Sequence, residues 1–230
     1  MSDFFQLKPT VASQLYRDVK AKYYRKFQDR YIAPWMRSKE IDLIGEALHN
    51  IQPKRVFEWG AGYSTVFFPQ LLQGEFEWTS VEHNTGWATK LKEIIHDPRI
   101  TVHNILPDDP NFVDKHNEGT LEEFHTYVNM PQGKYDFIFI DGRARAECMK
   151  KALNHLSEGG LVILHDANRK HYHTYSHLYP HQVLMKDYHK NRGGVWLGSA
   201  TRKIEDIVDM EKHHKLWGTH YIIGKASFKS

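Results

Sequence analysis

The stretch that decides the fold of this 230-residue chain reads RVFEWGAGYST and spans residues 55–65. Its first five residues have the short, mostly apolar pattern of a buried strand, and residues 64–72 have a helical pattern. Between them, Gly60 and Gly62 permit a tight turn and a close approach of the backbone to a ligand. The helix that follows offers free N–H groups at its start. The stretch therefore predicts a strand, a glycine turn and a helix, with a ligand bound at the turn.

The same alternation of strands and helices continues along the chain. Apolar runs predict strands at residues 77–82, 100–104, 135–140 and 161–164, with helices between them. We expect the helix after residues 135–140 to end at Gly159 and Gly160. Short apolar strands that alternate with helices of about 10 to 15 residues indicate a parallel sheet covered on both faces. The predicted fold class is therefore α/β, a Rossmann-like, doubly wound and mostly parallel seven-stranded sheet with helices on both faces.

The flanking segments carry weaker patterns. A first helix is expected to end before Pro34, and a second to run from near Ser38 to before Pro53. We expect residues 1–52 to form an N-terminal helical cap on a domain of residues 53–230, in one compact unit. Beyond Asp166, strands are predicted at residues 182–189, 195–199 and 220–224, and a helix at residues 204–216. A closing antiparallel strand pair is expected in this region.

Composition narrows the class of protein. The chain has 31 basic and 28 acidic residues, and a formal net charge of +3 gives no reason to expect nucleic acid or a membrane as partner. Its single cysteine, Cys148, excludes an internal disulfide framework and suits a reducing compartment. The first residues lack the pattern of a signal peptide, and no apolar run approaches membrane-spanning length. We expect a cytoplasmic protein that can form an oligomer.

Two acidic residues next to the glycine turn indicate the type of ligand. Glu58 stands just before Gly60, where it would repel a pyrophosphate and attract an ammonium group. Glu82 ends the next predicted strand, where a carboxylate can accept both hydrogen bonds of a ribose diol. Thr65 occupies the place of the third glycine in the dinucleotide fingerprint. A nucleoside attached to an amino acid therefore fits the two carboxylates better than NAD does. The alternative is that this segment is an ordinary glycine turn with a solvated glutamate and binds no ligand.

Residues 55–169 resemble the class I S-adenosylmethionine-dependent methyltransferases. The resemblance rests on VFEWGAGYST, TSVEHN, YDFIFIDG and GGLVILHD. The resemblance implies that the cofactor is S-adenosylmethionine. It further implies that Glu58, Gly60 and Gly62 hold the methionine part of the cofactor and that Glu82 holds its ribose. The imidazole of His83 is expected beside the adenine edge, although a solvated loop histidine is an equal alternative. The predicted cofactor-binding residues are Glu58, Gly60, Gly62, Ser64, Glu82, His83 and Asp141.

A second group of polar residues follows the strands at 135–140 and 161–164. Asp141, His165 and Asp166 are expected at one rim of the sheet, where they can hold a divalent metal ion or accept a proton from a substrate hydroxyl. The alternative is that the carboxylates of Asp141 and Asp166 have no catalytic role and only cap the helices that follow them. The stretch is similar to the catechol O-methyltransferase branch, which implies Asp141 and Asp166 as ligands of Mg²⁺ or a similar ion. Ala167 separates Asp166 from Asn168, and Ala144 replaces the catalytic lysine of that branch.

Arginines and histidines surround these segments. Two segments, IDGRARAEC and HDANRKHY, resemble methyltransferase-like proteins that have an Asp-Gly-Arg-x-Arg turn. Arg143 and Arg145 of this turn can bind an anionic substrate group, and the alternative is that both are solvated on the first turn of a helix. His173 and His177 have the spacing of a two-histidine metal pair, but a solvated, aromatic-rich lid is favoured. The aromatic residues that can either wall a pocket or fill the core are Trp35, Trp59, Tyr63, Tyr172 and Tyr175.

These patterns predict an S-adenosylmethionine-dependent methyltransferase that acts on a hydroxyl of a small molecule or a glycan. Asp141 and Asp166 are expected to act as base or metal ligands, with His165 assisting them. Arg143 and Arg169 are expected to orient the acceptor. An NAD-dependent oxidoreductase and a non-catalytic partner protein with the same fold are the alternatives.

Overall fold

The structure is a computed structural model that describes residues 4–28, 33–114 and 118–227. In this part of the chain a seven-stranded sheet has the order β3-β2-β1-β4-β5-β7-β6. Strands β1 to β5 run parallel, and β7 is antiparallel to both of its neighbours. The predicted α/β class and mostly parallel Rossmann-like sheet are confirmed. The strands are β1 Arg55–Trp59, β2 Glu77–Glu82, β3 Ile100–Asn104, β4 Tyr135–Ile140, β5 Leu156–His165, β6 His181–Met185 and β7 Val195–Ser199.

Helices cover both faces of the sheet. Alternate residues of the central strands belong to two separate cores because successive side chains of a strand point to opposite faces. Val56, Phe139 and Ile163 lie in one core with helix α2, whereas Phe57 and Ile140 lie in the other with helix α6. Strands buried on both faces explain the continuous apolar runs in the sequence. The helices are α1 Val11–Phe27, α2 Ser38–Ile51, α3 Tyr63–Phe67, α4 Thr85–Ile94, α5 His125–Val128, α6 Arg145–His155 and α7 Met210–Ser227.

The two N-terminal helices are joined by a buried ion pair. Arg17 of α1 binds both carboxylate oxygens of Asp42 on α2, at 2.6 and 2.8 Å, and Gln14 donates a further hydrogen bond of 2.7 Å to Asp42. The predicted second helix is confirmed. The first ends at Phe27, earlier than its predicted limit before Pro34, and residues 29–32 of that prediction lie outside the described residues. The pair fixes α1 against α2, and α2 carries a residue of the site described below.

The prediction that the helix after β4 ends at Gly159 and Gly160 is wrong. Helix α6 ends at His155, and the chain continues as β5 through both glycines. Leu156 already pairs with Tyr135 of β4, and the register shifts before the next pair. Gly159 has a φ of +72°, so the glycines permit an irregularity within a strand and do not end a helix.

The C-terminal predictions also need correction. Residues 220–224 form part of α7 and not a strand, and residues 204–206 form a short 3₁₀ turn ahead of that helix. Tertiary contacts override the strand propensity of Tyr221, Ile222 and Ile223, because α7 packs on α1 and α2. His220, for example, lies 2.8 Å from Gln14. Strand β6 ends at Met185, short of the predicted residue 189, and it pairs antiparallel with β7 as expected.

No helix within the described ranges combines the length and the apolar character needed to cross a membrane.

The glycine turn after β1 gives a stability prediction. Gly60 has a φ of +92°, and an added Cβ would lie 2.5 Å from the backbone of Gly142. We expect Gly60→Ala to lower the free energy of unfolding by at least about 1–3 kcal/mol, because both strain and a clash with rigid backbone oppose it. Urea denaturation measures the change.

Gly62→Ala is the matched control. At Gly62 the nearest side-chain atom would be 3.6 Å from an added Cβ, and the backbone is extended. This variant should stay within about 1 kcal/mol of the wild type. Equal stability of the two variants would contradict the close approach of the turns at Gly60 and Gly142.

Candidate functional site

A cavity of about 360 Å³ opens at the carboxyl ends of β1, β2, β4 and β5. The strand order reverses between β1 and β4, and such switch points are where open α/β sheets bind ligands. Most of the predicted site residues line this cavity, whereas Glu58 and Arg169 do not. The predicted residues at its wall are Gly60, Gly62, Ser64, Glu82, His83, Asp141, Arg143, His165 and Asp166.

The glycine turn is fastened to the neighbouring strand and helix. The backbone N–H groups of Gly60 and Ala61 both donate to the carbonyl of Val81, at 2.9 and 3.0 Å. The indole of Trp87 on α4 donates to the carbonyl of Ala61 at 2.9 Å. These hydrogen bonds join the turn to β2 on one side and to α4 on the other, so they hold the backbone of the turn in a single conformation.

Glu58 lies beneath the turn and is fully buried. Its carboxylate accepts hydrogen bonds from four side chains, and burial raises its pKa above 4.5 in spite of them. Because Glu58 is buried and three of these donors share its Oε2, we expect it to act on a ligand ammonium group through a neighbouring side chain. Its donors are the hydroxyls of Ser64 (2.5 Å), Thr65 (2.7 Å) and Ser80 (2.6 Å) and the indole of Trp78 (2.9 Å).

Ser64 connects this buried carboxylate to the cavity. Its hydroxyl donates to Glu58, while the residue itself lines the cavity wall. A hydroxyl that donates one hydrogen bond still has lone pairs with which to accept another. Glu58 can therefore favour a positively charged ligand group through Ser64.

Glu82 and His83 form a polar edge at the end of β2. Oε1 of Glu82 accepts a hydrogen bond from the backbone of Asn84 at 2.8 Å and lies 3.0 Å from Nδ1 of His83. Nε2 of His83 lies 3.2 Å from Asp114. Burial alone would lower the pKa of His83, but Glu82 and Asp114 outweigh it and raise that pKa above 6.5. Within the described ranges, Oε2 of Glu82 has no hydrogen-bond donor, so this oxygen is available to a ligand.

His165 bridges two carboxylates from distant parts of the chain. Its Nδ1 lies 3.0 Å from Asp141, and its Nε2 lies 3.4 Å from Glu40 on α2. Burial lowers the pKa of His165, yet the two carboxylates raise it well above 6.5. Glu40 has its own pKa lowered to about 2, although burial opposes this change. Both carboxylates therefore favour the protonated form of His165, which makes its imidazole a poorer proton acceptor for a substrate.

The guanidinium of Arg145 lies between the two predicted metal ligands. Nη2 is 3.1 Å from Asp141, and Nη1 is 4.0 Å from Asp166. Three backbone carbonyls hold it there, those of Gly142 at 2.9 Å, His165 at 2.8 Å and Asp141 at 3.0 Å. Asp166 also accepts a hydrogen bond of 2.6 Å from the backbone of Gly193. Because a cation already separates the carboxylates, the donor set does not fit a divalent metal ion.

The alternative of a two-histidine metal pair at His173 and His177 also lacks support. The described residues contain no group of three or more His, Cys, Asp or Glu side chains suited to a metal ion. His173 and His177 lie in two separate 3₁₀ turns, so they lack the shared helix face that their spacing indicates.

The two arginines expected to orient an acceptor have different surroundings. Arg143 lines the cavity and binds Asp114, with 2.8 Å between Nε and Oδ1. Arg169 lies outside this cavity, where Glu118 accepts a hydrogen bond of 2.7 Å from it, and it lies 3.7 Å from Asp166. Arg145, predicted to clamp an anionic ligand, instead turns inward and is 8% exposed.

Aromatic side chains line one wall of the cavity. Trp35, Tyr63 and Trp87 contribute there, with ring centroids 5.2 Å apart for Tyr63 and Trp87 and 6.2 Å apart for Trp35 and Trp87. Trp59 and Tyr172 are core residues instead. The sequence prediction missed Trp87, although it stands five residues after Glu82, at the start of the predicted helix. It also missed Glu40, for which no local signal exists because its partner lies 125 residues away.

The bridging of His165 gives a prediction for its titration. Nuclear magnetic resonance of the imidazole should show that His165 titrates well above pH 6.5. Because its pKa is raised on folding, its stabilising effect is complete below about pH 6.5 and is lost as the pH rises through the folded-state value. Glu40→Gln removes one of the two negative charges and should lower the pKa of His165.

Glu147→Gln is the control, since this carboxylate contacts Tyr175 and not His165. It should leave the titration of His165 unchanged. A wild-type His165 that titrates near 6.5, or that ignores the loss of Glu40, would contradict the ion pairs described above.

Comparison with known proteins agrees with this arrangement. A family model described as a methyltransferase domain matches residues 57–167, from β1 to just beyond β5. No curated protein sequence matches the chain. Among solved structures, an O-methyltransferase from Bacillus cereus in complex with SAH is 15% identical, with a TM-score of 0.52, and the match covers 81% of this chain and 90% of that one. The O-methyltransferase TomG from Streptomyces achromogenes, in complex with SAM, is 16% identical, with a TM-score of 0.50 and coverage of 79% and 87%.

The fold also occurs in enzymes with other activities. A spermidine synthase from Thermotoga maritima is 12% identical, with a TM-score of 0.51, and the match covers 73% of this chain and 61% of that one. At such low identities the structures show the shared fold alone, and the family model describes residues 57–167. Residues 57–167 therefore match a methyltransferase domain, within a fold that the chain shares with solved O-methyltransferases.

Proposed function

We propose that this protein is a methyltransferase that transfers the methyl group of S-adenosylmethionine to a hydroxyl oxygen of a small molecule or glycan. The observation that carries the proposal is one cavity with the glycine turn and Glu82 at one side and Asp166 at the other. The O-methyltransferases from Bacillus cereus and Streptomyces achromogenes, described as complexes with SAH and SAM, support the same cofactor.

The cavity offers a distinct contact to each part of the cofactor. Glu82 accepts the hydrogen bonds of the ribose hydroxyls, and His83 lies beside the adenine. The backbone at Gly60 and Gly62 borders the methionine part, and the Ser64 hydroxyl accepts a hydrogen bond from its ammonium group. In this proposal Glu58 is a positioning residue that orients Ser64, and Asp141 adds negative charge near the same group.

The residues at the end of β5 act on the acceptor. When bound, S-adenosylmethionine supplies a methyl group already activated by a positively charged sulfur, so the protein needs mainly to align the acceptor and to take its proton. Asp166 is the better candidate for the proton because it borders both the cofactor cavity and an adjacent cavity. Burial raises the pKa of Asp141, but His165 and Arg145 outweigh it and lower that pKa, so Asp141 is a weak base.

The backbone at Asp166 is also unusual. Its φ is +57°, a left-handed conformation that asparagine and aspartate adopt more readily than other side chains. Strained positions of this kind cluster at active sites. The hydrogen bond from Gly193 holds Asp166 in this position.

The alternatives and the metal ion have less support. Thr65 stands at the third glycine of the dinucleotide pattern, and its hydroxyl bonds to Glu58, which argues against an NAD-dependent enzyme. The proposed mechanism includes no divalent cation at Asp141 and Asp166, because the guanidinium of Arg145 lies between them.

Cofactor binding tests the ribose contact. We expect isothermal titration calorimetry to show binding of S-adenosylmethionine and of its demethylated product to the wild type. Glu82→Gln should weaken both by about tenfold or more, because an amide replaces a carboxylate that accepts two hydrogen bonds.

Glu77→Gln, at the exposed start of the same strand, is the control and should bind both compounds as the wild type does. No heat with either compound at millimolar concentration would reject the proposed function. Undiminished binding by Glu82→Gln would reject the ribose contact alone.

Methyl transfer tests the proton acceptor. Formation of demethylated cofactor, followed with a panel of phenols, hydroxy acids and sugars, should fall about 10²–10⁴-fold in kcat for Asp166→Asn. The affinity for the cofactor should stay the same, because asparagine tolerates the backbone conformation. Chelation of divalent ions should leave the wild-type rate unchanged.

Asp136→Asn is the control, since this carboxylate lies near the opposite end of β4 and binds backbone N–H groups of Lys54 and Arg55. Full activity of Asp166→Asn would contradict the role of Asp166. Activity that is lost with chelator and restored with Mg²⁺ would contradict the metal-independent mechanism.

A further inference from the structure

We propose that the methyl acceptor is an anionic hydroxy compound whose carboxylate or phosphate binds to Arg25 and Arg192. This inference rests on the proposed function and names its substrate class. It starts from a second cavity of about 430 Å³ that adjoins the cofactor cavity. The residues that line both cavities are Trp35, Met36, His165 and Asp166.

The position of this second cavity suits an acceptor. Asp166, the candidate for the acceptor proton, lies in the wall common to both cavities. Trp35 lies in the same wall and is 62% exposed, so its ring is accessible to an apolar part of a ligand. A hydroxyl beside Asp166 would point towards the cofactor, while the rest of the acceptor would extend into the second cavity.

The charges in the second cavity are strongly unequal. Four arginines line it, against two carboxylates, Glu40 and Asp166. Glu40 is already paired with His165, and Asp166 lies near Arg145 and Arg169. The four arginines are Arg25, Arg37, Arg169 and Arg192.

Two of these arginines are held by protein groups. Arg37 lies 3.4 Å from Asp187 and donates a hydrogen bond of 2.7 Å to the hydroxyl of Tyr188. Arg169 donates a hydrogen bond of 2.7 Å to Glu118. These contacts use much of their positive charge inside the protein.

Arg25 and Arg192 differ from the other two. Within residues 4–28, 33–114 and 118–227, neither has a carboxylate within ion-pair distance. Nε of Arg25 donates to the carbonyl of Ala21 at 3.3 Å, which fixes its stem to the last turns of α1. Arg192 lies in the connection between β6 and β7. Guanidinium groups that line a cavity and have no carboxylate partner among the described residues are suited to bidentate binding of a carboxylate or phosphate.

The positive lining continues beyond this cavity. A third cavity, of about 1020 Å³, shares Arg169 and His189 with the second and is also lined by Lys170, Lys186 and Lys190. The whole chain has a net charge of only +3, so this concentration of cations is a local property. A local field of this sign raises the concentration of anionic ligands near the site.

The test uses the full chain saturated with demethylated cofactor. Inorganic phosphate and D-glucuronate are titrated by calorimetry at constant ionic strength, with D-glucose as the neutral counterpart of glucuronate. We expect at least one anion to bind at least about tenfold more tightly than glucose, and Arg25→Gln and Arg192→Gln each to weaken it by about tenfold or more. The tighter of the two anions identifies the group as phosphate or carboxylate.

Arg202→Gln is the matched control, because Arg202 follows β7 at the end of the sheet away from the cavities. It should bind the anions as the wild type does, and all three variants should keep their affinity for the cofactor. Binding of cofactor without any anion preference, or equal weakening by Arg202→Gln, would overturn this inference alone. Failure of the wild type to bind the cofactor would overturn the proposed function instead.

Discussion

A chain of alternating charges holds the site together. It runs from Glu40 through His165 and Asp141 to Arg145 and Asp166, and it joins helix α2 to the ends of β4 and β5. Removing one member of a buried ion pair leaves its partner uncompensated, at a cost of about 3–5 kcal/mol. The network therefore brings Asp166 and Asp141 to either side of one guanidinium, and the hydrogen bond from Gly193 holds Asp166 in its position.

The strands and the place of the site could be predicted from sequence because their signals are local. Apolar runs predict the first and last residues of β1 to β4 correctly. Because the carboxyl ends of parallel strands meet at one edge of the sheet, Glu82, Asp141 and Asp166 are expected there, and all three line one cavity. The C-terminal region was predicted less well. Residues 220–224 have strand propensity, yet contacts of α7 with α1 and α2, which no local pattern contains, make them helical.

Individual roles could be predicted only in part. Glu58 follows the alternation of β1 and lies on the face of Val56, beneath α3. Two of its four donors, Trp78 and Ser80, come from β2, which the glycine motif does not contain. Arg145 turns inward because the carbonyls of Gly142 and His165 accept its hydrogen bonds. Glu40, Arg25 and Arg192 reach the site from distant parts of the chain. The sequence predicts which strand ends carry the chemistry, whereas the folded chain determines which charges remain for a ligand.

The most direct test of the central claim is a crystal structure of the protein with demethylated cofactor. We predict density in the cavity at the β1–β4 switch point, with the ribose hydroxyls at Glu82 and the sulfur directed towards Asp166. Density elsewhere, or a ribose remote from Glu82, would contradict the account.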